Sequence, residues 1–258
     1  MPDSTAPFRA DMVGSLLRTA PLKDARAKHA KGTITAAQLK TVEDEEIRKL
    51  VAKQEAVGLK LATDGEFRRA WWHFDFFWGL KGCERVTLDH GIKFHGVETK
   101  AESLKVTGKL DFPTDHPMLG HFRFLKSVSK AVPKMTIPSP SVMHFRSGRA
   151  AISQAAYPDM DGYFADLAKL YGKAIKAFYD AGCRYLQFDD TVWAYLCSQE
   201  ELQKARDRGD NPDGLQEIYA RVINYALAER PADMVVTTHV CRGNFRSTWI
   251  SSDRKSVV

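Results

Sequence analysis

Three stretches of the chain follow one order: an amphipathic helix, a glycine or polar turn, a short apolar strand, then polar residues. The first is "TAAQLKTVEDEEIRKLVAKQEAVG" running into "LKLATDGE". The second is "DMDGYFADLAKLYGKAIKAFYDAG" into "CRYLQFDD", and the third "GLQEIYARVINYALAERPAD" into "MVVTTHVC". In the first, Thr35 and Gln38 have capping-box spacing. Leu39, Val42, Ile47, Leu50, Val51 and Val57 recur at helical period, and Gly58 suits a C-terminal cap. In the second, the stripe is Phe164, Leu167, Tyr171, Ala174, Ile175 and Phe178, ended by Gly182. Short apolar strands separated by helices pair in parallel, because each crossover lays a helix over the sheet. Further strands at "FRADMVGS" and "PKMTIPSP" bring the expected number to five, and residues 84–112 alternate like an inserted β-hairpin. No Pro/Gly/Ser-rich linker divides the chain, so it reads as one α/β domain with an insertion.

Several function classes drop out on composition. A chain of 258 residues with 44% hydrophobic and 27% charged residues can bury an ordinary globular core. The net charge of +6 raises the question of an anionic partner. Lys and Arg are interleaved with acids, as in "EDEEIRKLVAKQE", which describes a solvated surface rather than a nucleic-acid stripe. The polar start "MPDSTAPFRAD" has no signal-peptide core, and no apolar run reaches membrane-spanning length. Cys83, Cys183, Cys197 and Cys241 show no disulfide framework, which points to a reducing cytoplasm with thiols free for metal or catalysis. Phosphate loops, dinucleotide fingerprints and nucleophile elbows are absent.

The polar residues gather at the strand ends: Ser15, Glu66, Ser139, Asp189, and the pair His239 and Cys241. In a parallel α/β barrel that rim is where active sites form. Asp64 and Asp190 read instead as N-caps of the helices that follow. Side chains two apart share a strand face, so Tyr185, Gln187 and Asp189 point into the barrel while Leu186 and Phe188 face the helices. The same rule puts His239 and Cys241 together. Imidazole and thiolate both suit zinc, yet two donors alone are a weak signal, and chance or simple core packing is the first explanation for them. Of the other histidines, His73 lies in the aromatic run "WWHFDFFWGL", as part of a buried helix or lid. His29, His90, His95, His116 and His121 lack ligand spacing, and His144 reads as a surface residue.

"FRADMVGSLLR", "TDGEFRR", "YLQFDD" and "HVCRGNF", in this order, resemble the catalytic barrel of the cobalamin-independent methionine synthase family, in the form of its short single-barrel relatives. The resemblance runs from about Phe8 to Ser252. It implies a TIM (β/α)8 barrel, incomplete here with about five of eight strands, and a zinc-dependent methyl transfer from 5-methyltetrahydrofolate to the thiol of homocysteine, giving methionine. On this resemblance His239 and Cys241 are the first two zinc ligands, and Glu66 and Asp189 hold the substrate amino group. Val13, Gly14 and Ser15 form the first-strand turn against which the amino acid packs. Zinc lowers a thiol's pKa, so the nucleophile would exist at neutral pH. The family completes its metal site with a glutamate one strand later and a late cysteine, for which this sequence has no counterpart. A family acid that binds folate falls near Tyr195, and an Arg-Cys folate contact has no match.

Other readings stay open: zinc-dependent alkyl transfer to another thiol such as coenzyme M, a metal-free decarboxylase on a related barrel, or a non-catalytic binding protein or inert fragment. Coenzyme M has no amino group for Glu66 and Asp189. The final residues Asp253 to Val258 back-translate to GAT CGG AAG AGC GTC GTG, a string that matches a common sequencing adapter. They are expected not to derive from the protein. The expected partners are small molecules, with no nucleic acid and no membrane, and the polypeptide as written is expected to bind zinc weakly and dissolve poorly.

Overall fold

The structure is a computed structural model that describes residues 6–89, 91, 93, 94, 97–245, 248 and 249. His90, His95 and the six-residue tail lie outside the described residues. Two helices, α1 (Ala20–Ala30) and α2 (Ala36–Ala56), lead into the short strand β1 (Leu61–Ala62) and a one-turn helix α3 (Phe74–Phe77). An antiparallel excursion follows: β2 (Lys81–Thr87) pairs with β5 (Glu102–Asp111), and β3 (Lys93–Phe94) with β4 (Val97–Glu98). The chain then alternates through α4 (Pro117–Val128), β6 (Val132–Pro138), α5 (Pro140–Ser147), α6 (Met160–Asp180) and β7 (Tyr185–Asp190). The helices α7 (Val192–Tyr195), α8 (Gln199–Asp207) and α9 (Leu215–Leu227) precede β8 (Val235–Val240), and the pair β9 (Asn244–Phe245) and β10 (Thr248–Trp249) follows it.

The central sheet has the order β1-β6-β7-β8, and every neighbouring pair in it is parallel. An incomplete TIM barrel has this architecture: sequential strands lie side by side with helices between them. Its register aligns Pro138 with Asp189 and Asp189 with His239, so three consecutive strands end at one level. The capping box at Thr35 and Gln38 forms. On α6 the whole expected stripe is buried, Asp159 caps the start by accepting from Gly162 N–H at 2.7 Å, and Gly182 takes φ +98° at the end. Its face meets α3, α5, α9 and the β2–β5 hairpin in one large apolar core. A smaller cluster of Leu22, Ile47, Val51, Ala62, Phe67 and Leu125 packs α1 and α2 on β1.

Three expectations need correction. The segment "FRADMVGS" forms no strand; it is held against the sheet mainly through side chains. Lys134 Nζ reaches Asp11 at 2.8 Å and the Met12 carbonyl at 2.5 Å, Gln187 Nε2 donates to the Val13 carbonyl at 2.7 Å, and Thr63 Oγ1 donates to the Gly14 carbonyl at 2.8 Å. Gly14 at φ +139° breaks the extended geometry that a ladder requires. On α2, Val57 is exposed, while the buried face carries Glu43 and Glu46. Glu43 is neutralised by Arg26 and Arg68, each at 3.2 Å. His144 is not a surface residue: it is buried, with Nδ1 2.6 Å from the Tyr219 hydroxyl.

Candidate functional site

The turn after β1 sets the site's first wall. The Asp64 carboxylate accepts the Glu66 N–H at 2.8 Å, so it caps a turn rather than a helix, whereas Asp190 accepts the Val192 N–H at 2.6 Å at the start of α7. Glu66 itself sits at φ +56°, a left-handed conformation rare outside glycine. Two arginines hold that backbone in place. Arg18 donates to the Arg69 carbonyl at 2.7 Å, and Arg26 to those of Phe67 and Arg69 at 3.1 and 3.0 Å. A conformation that costs about 1–3 kcal/mol persists where surrounding contacts over-determine it, and such positions cluster at functional sites.

The constrained turn aims Glu66 at β6 and at the first segment. Its Oε1 accepts from Thr136 Oγ1 at 3.1 Å, and its Oε2 pairs with Arg69 Nε. Arg69 also donates to Ser15 Oγ at 3.2 Å. From β7, Gln187 Nε2 donates to Asp189 Oδ1 at 2.6 Å while bridging to the Val13 carbonyl. Burial, and next the charge of Glu66, push the Asp189 carboxyl well up from the usual range. From β8, His239 and Cys241 share a face and hydrogen-bond each other. That bond raises the imidazole and lowers the thiol, and the backbone N–H groups of Asn244 and Gly243 lower the thiol further.

Val13, Ser15, Glu66, Asp189, His239 and Cys241 all line one cavity of about 130 Å³ at the strand ends. Gly14 stands behind its wall: a Cβ there would lie 2.8 Å from Glu66 Oε1. Ser139, also singled out in the sequence, is fully buried; its N–H donates to the Asp189 carbonyl at 2.8 Å, and it is not part of the cavity wall. Sequence reasoning missed Arg69, Trp72 and Arg146, which line the cavity together with Asp190, Thr191, Gly243 and Asn244. Arg69 and Trp72 follow Glu66 closely, and that adjacency was the available signal. Arg146 lies at the far end of α5 and only the fold brings it in. A neighbouring cavity of about 270 Å³, lined by Trp71, Trp72 and Trp78, shares Glu66 and Arg69 with the first.

The donor types of His239 and Cys241 fit zinc, but among the described residues no group of three or more His, Cys, Asp or Glu is placed to hold a metal ion. All four cysteines are free. Among the described residues no helix is long and apolar enough to cross a membrane.

Burial raises the Asp64 carboxyl to about 6. An unfolded aspartate titrates near 3.9, so between about pH 4 and 6 the folded protein keeps a proton that the unfolded chain releases. Stability from this group is therefore greatest below that window, falls through it and is level above it, by a total of about 3 kcal/mol at most. Asp64→Asn keeps an acceptor for the Glu66 N–H and removes the titration. The variant's urea midpoint, relative to wild type, should rise between pH 4 and pH 7; a pH-independent difference would refute this assignment.

No family model matches the chain. It is 53% identical over 248 residues to the uncharacterized protein YxjH of Bacillus subtilis, covering 96% of this chain and 65% of that protein. It is 26% identical over 252 residues to a methionine synthase from Sulfolobus acidocaldarius, covering 95% of this chain and 64% of the relative. Among solved structures, a provisionally named vitamin-B12-independent methionine synthase from Listeria monocytogenes superposes with a TM-score of 0.77 at 48% identity, covering 93% of this chain and 67% of that one. The chain thus spans about two thirds of the length of these relatives. With a four-stranded parallel sheet, a polar cavity at the ends of its strands and this degree of identity to a solved relative, the chain belongs to the single-barrel family related to cobalamin-independent methionine synthase.

Proposed function

We propose that this cavity is the acceptor side of a thiol methyltransferase, taking homocysteine as substrate and yielding methionine, with a methylated folate as donor and a cytoplasmic setting. The observation that carries the reading is the convergence of two carboxylates with an imidazole–thiol pair in one small cavity. Glu66 and Asp189 suit a substrate ammonium: the substrate cation relieves the repulsion between two acids that share a site. His239 and Cys241 would hold zinc together with donors from outside the described residues. When bound, zinc supplies a Lewis acid that keeps the substrate sulfur as thiolate at neutral pH. Ser15 and the Val13 carbonyl side of the first segment close the cavity behind the amino acid, and Trp72 covers it from the β1 side.

Two donors bind zinc weakly, so the 258-residue chain alone should hold well under one equivalent after dialysis. Homocysteine adds a third donor whose amino group is anchored at Glu66 and Asp189, and linkage makes the two ligands raise each other's affinity. Zinc titrations should show a rise of at least about tenfold in affinity with homocysteine, none with a thiol that lacks an amino group, and loss of the rise in Glu66→Gln. Tight one-to-one zinc without any thiol, or equal rises with both thiols, would overturn the reading. Production of methionine from homocysteine and 5-methyltetrahydrofolate, followed by mass, tests the donor separately.

A further inference from the structure

We infer that Trp72 is a movable wall: an amino acid enters the cavity at the strand ends as the Trp72 indole swings into the tryptophan-lined cavity beside it. The inference rests on the amino-acid reading above and deepens it. Pockets that enclose a small organic ligand usually measure about 300–1,000 Å³. The cavity of Glu66 and Asp189 has about 130 Å³, and its neighbour about 270 Å³. Glu66, Arg69 and Trp72 line both. Part of this shared wall has to yield before a whole amino acid fits.

Most of the lining is tied down. Glu66 accepts from Thr136 at 3.1 Å and pairs with Arg69, which also donates to Ser15. Gln187 holds Asp189 at 2.6 Å, and Arg146 donates to the Tyr195 hydroxyl at 3.1 Å. Trp72 is different. The indole N–H of Trp71 is bound by Glu102 and that of Trp78 by the Ser103 carbonyl, whereas that of Trp72 has no partner among the described residues. The half-buried Trp72 ring leans on His73, with centroids 4.6 Å apart and planes 36° apart. His73 is buried with both ring nitrogens unpartnered. Buried groups without partners weaken the arrangement that contains them, and no directional contact fixes this pair. The backbone, by contrast, is pinned. The Asp75 carboxylate accepts the N–H groups of Ala70 and Trp71 at 2.7 and 3.1 Å, and α3 starts at Phe74. The movement is therefore a side-chain rotation and needs no hinge, a common adjustment on binding. The neighbouring cavity gives it a destination, since Trp71, Phe76, Trp78 and Met118 offer an apolar, largely aromatic lining against which an indole packs.

The test fills the receiving cavity and leaves the ligand cavity untouched. Met118 lines the former and not the latter, so Met118→Trp occupies the space that the Trp72 indole would enter. Binding of L-methionine, followed by calorimetry, should weaken at least about tenfold in this variant. In a Trp72→Ala background nothing has to swing, and the same Met118→Trp change should alter affinity by less than about twofold. His121→Trp, on the same wall, takes the place of Met118→Trp if that variant does not fold. Unaltered affinity in the filled variant overturns the inference, and so does an equal loss in both backgrounds, which a general distortion would produce. In either case methionine still binds wild type, and the amino-acid reading stands. If wild type binds no methionine, that reading falls and the inference with it.

Discussion

Lys134→Met should lower folding stability by about 1.5–3 kcal/mol, the range expected for losing the hydrogen bonds of a buried ammonium whose carboxylate partner, Asp11, is itself exposed. The Lys134 side chain has 0% exposure, and its ammonium is bound by the Asp11 carboxylate and the Met12 carbonyl. It also lies 5.1 Å from the Tyr185 ring centre, and the Tyr185 hydroxyl donates to Asp11. Methionine fills the volume but leaves Asp11 and the Met12 carbonyl without their cation. The consequence should be local as well as global. The segment before α1 has no strand ladder of its own, so Lys134 is one of the few groups that hold Val13, Gly14 and Ser15 in place. Urea denaturation measures the first effect. Amide exchange of residues 8–15 measures the second, and should rise in the variant under conditions where β7 stays protected. A loss below about 1 kcal/mol would show that Lys134 acts as an exposed, screened ion pair would.

Gly14→Ala should abolish amino-acid binding while the rest of the fold survives. The residue sits at φ +139°, where an L side chain is strained, and a Cβ would stand 2.8 Å from Glu66 Oε1 and 2.9 Å from Thr136 Cγ2. Neither neighbour can yield cheaply. Glu66 is fixed by Arg69 and by its own left-handed backbone, and Thr136 belongs to β6. Displacing the carboxylate that faces the ligand should weaken methionine binding at least about a hundredfold, alongside a backbone penalty of about 1–3 kcal/mol. Gly32→Ala is the control. It also has positive φ, at +72°, but nothing lies within 4 Å of its Cβ position. It should lose stability and keep ligand affinity. Equal affinities in the two variants would mean that the close approach at Gly14 is not what shapes the cavity.

Where one local rule dominated, the chain was easy to read. On α6 every residue of the predicted stripe is buried, because a long helix under a sheet has one face to bury and no choice about which. The alternation on "YLQFDD" put Gln187 and Asp189 on the cavity side and Phe188 against Tyr171, since the period of a strand is two whatever its surroundings. On α2 the same reasoning was incomplete. Glu43 and Glu46 are buried there because Arg26 and Arg68 come from other elements to meet Glu43, and Lys49 and the Thr19 hydroxyl meet Glu46. "FRADMVGS" misled for a related reason. Its alternation is that of a strand, but Lys134, Gln187 and Thr63 supply hydrogen bonds that a ladder would otherwise make.

The sequence by itself determined the parallel helix–strand order, the strand faces, and therefore that Glu66, Asp189, His239 and Cys241 stand at the same end of the sheet. These follow from periodicity and from register-independent geometry along each element. Only the tertiary structure decided that they share one cavity, that Arg18 and Arg26 clamp the turn bearing Glu66, and that Arg146 reaches the site from the end of α5. Such contacts join residues tens of positions apart. They depend on the shifts between neighbouring strands and on the direction of long side chains, and neither leaves a periodic trace in the chain.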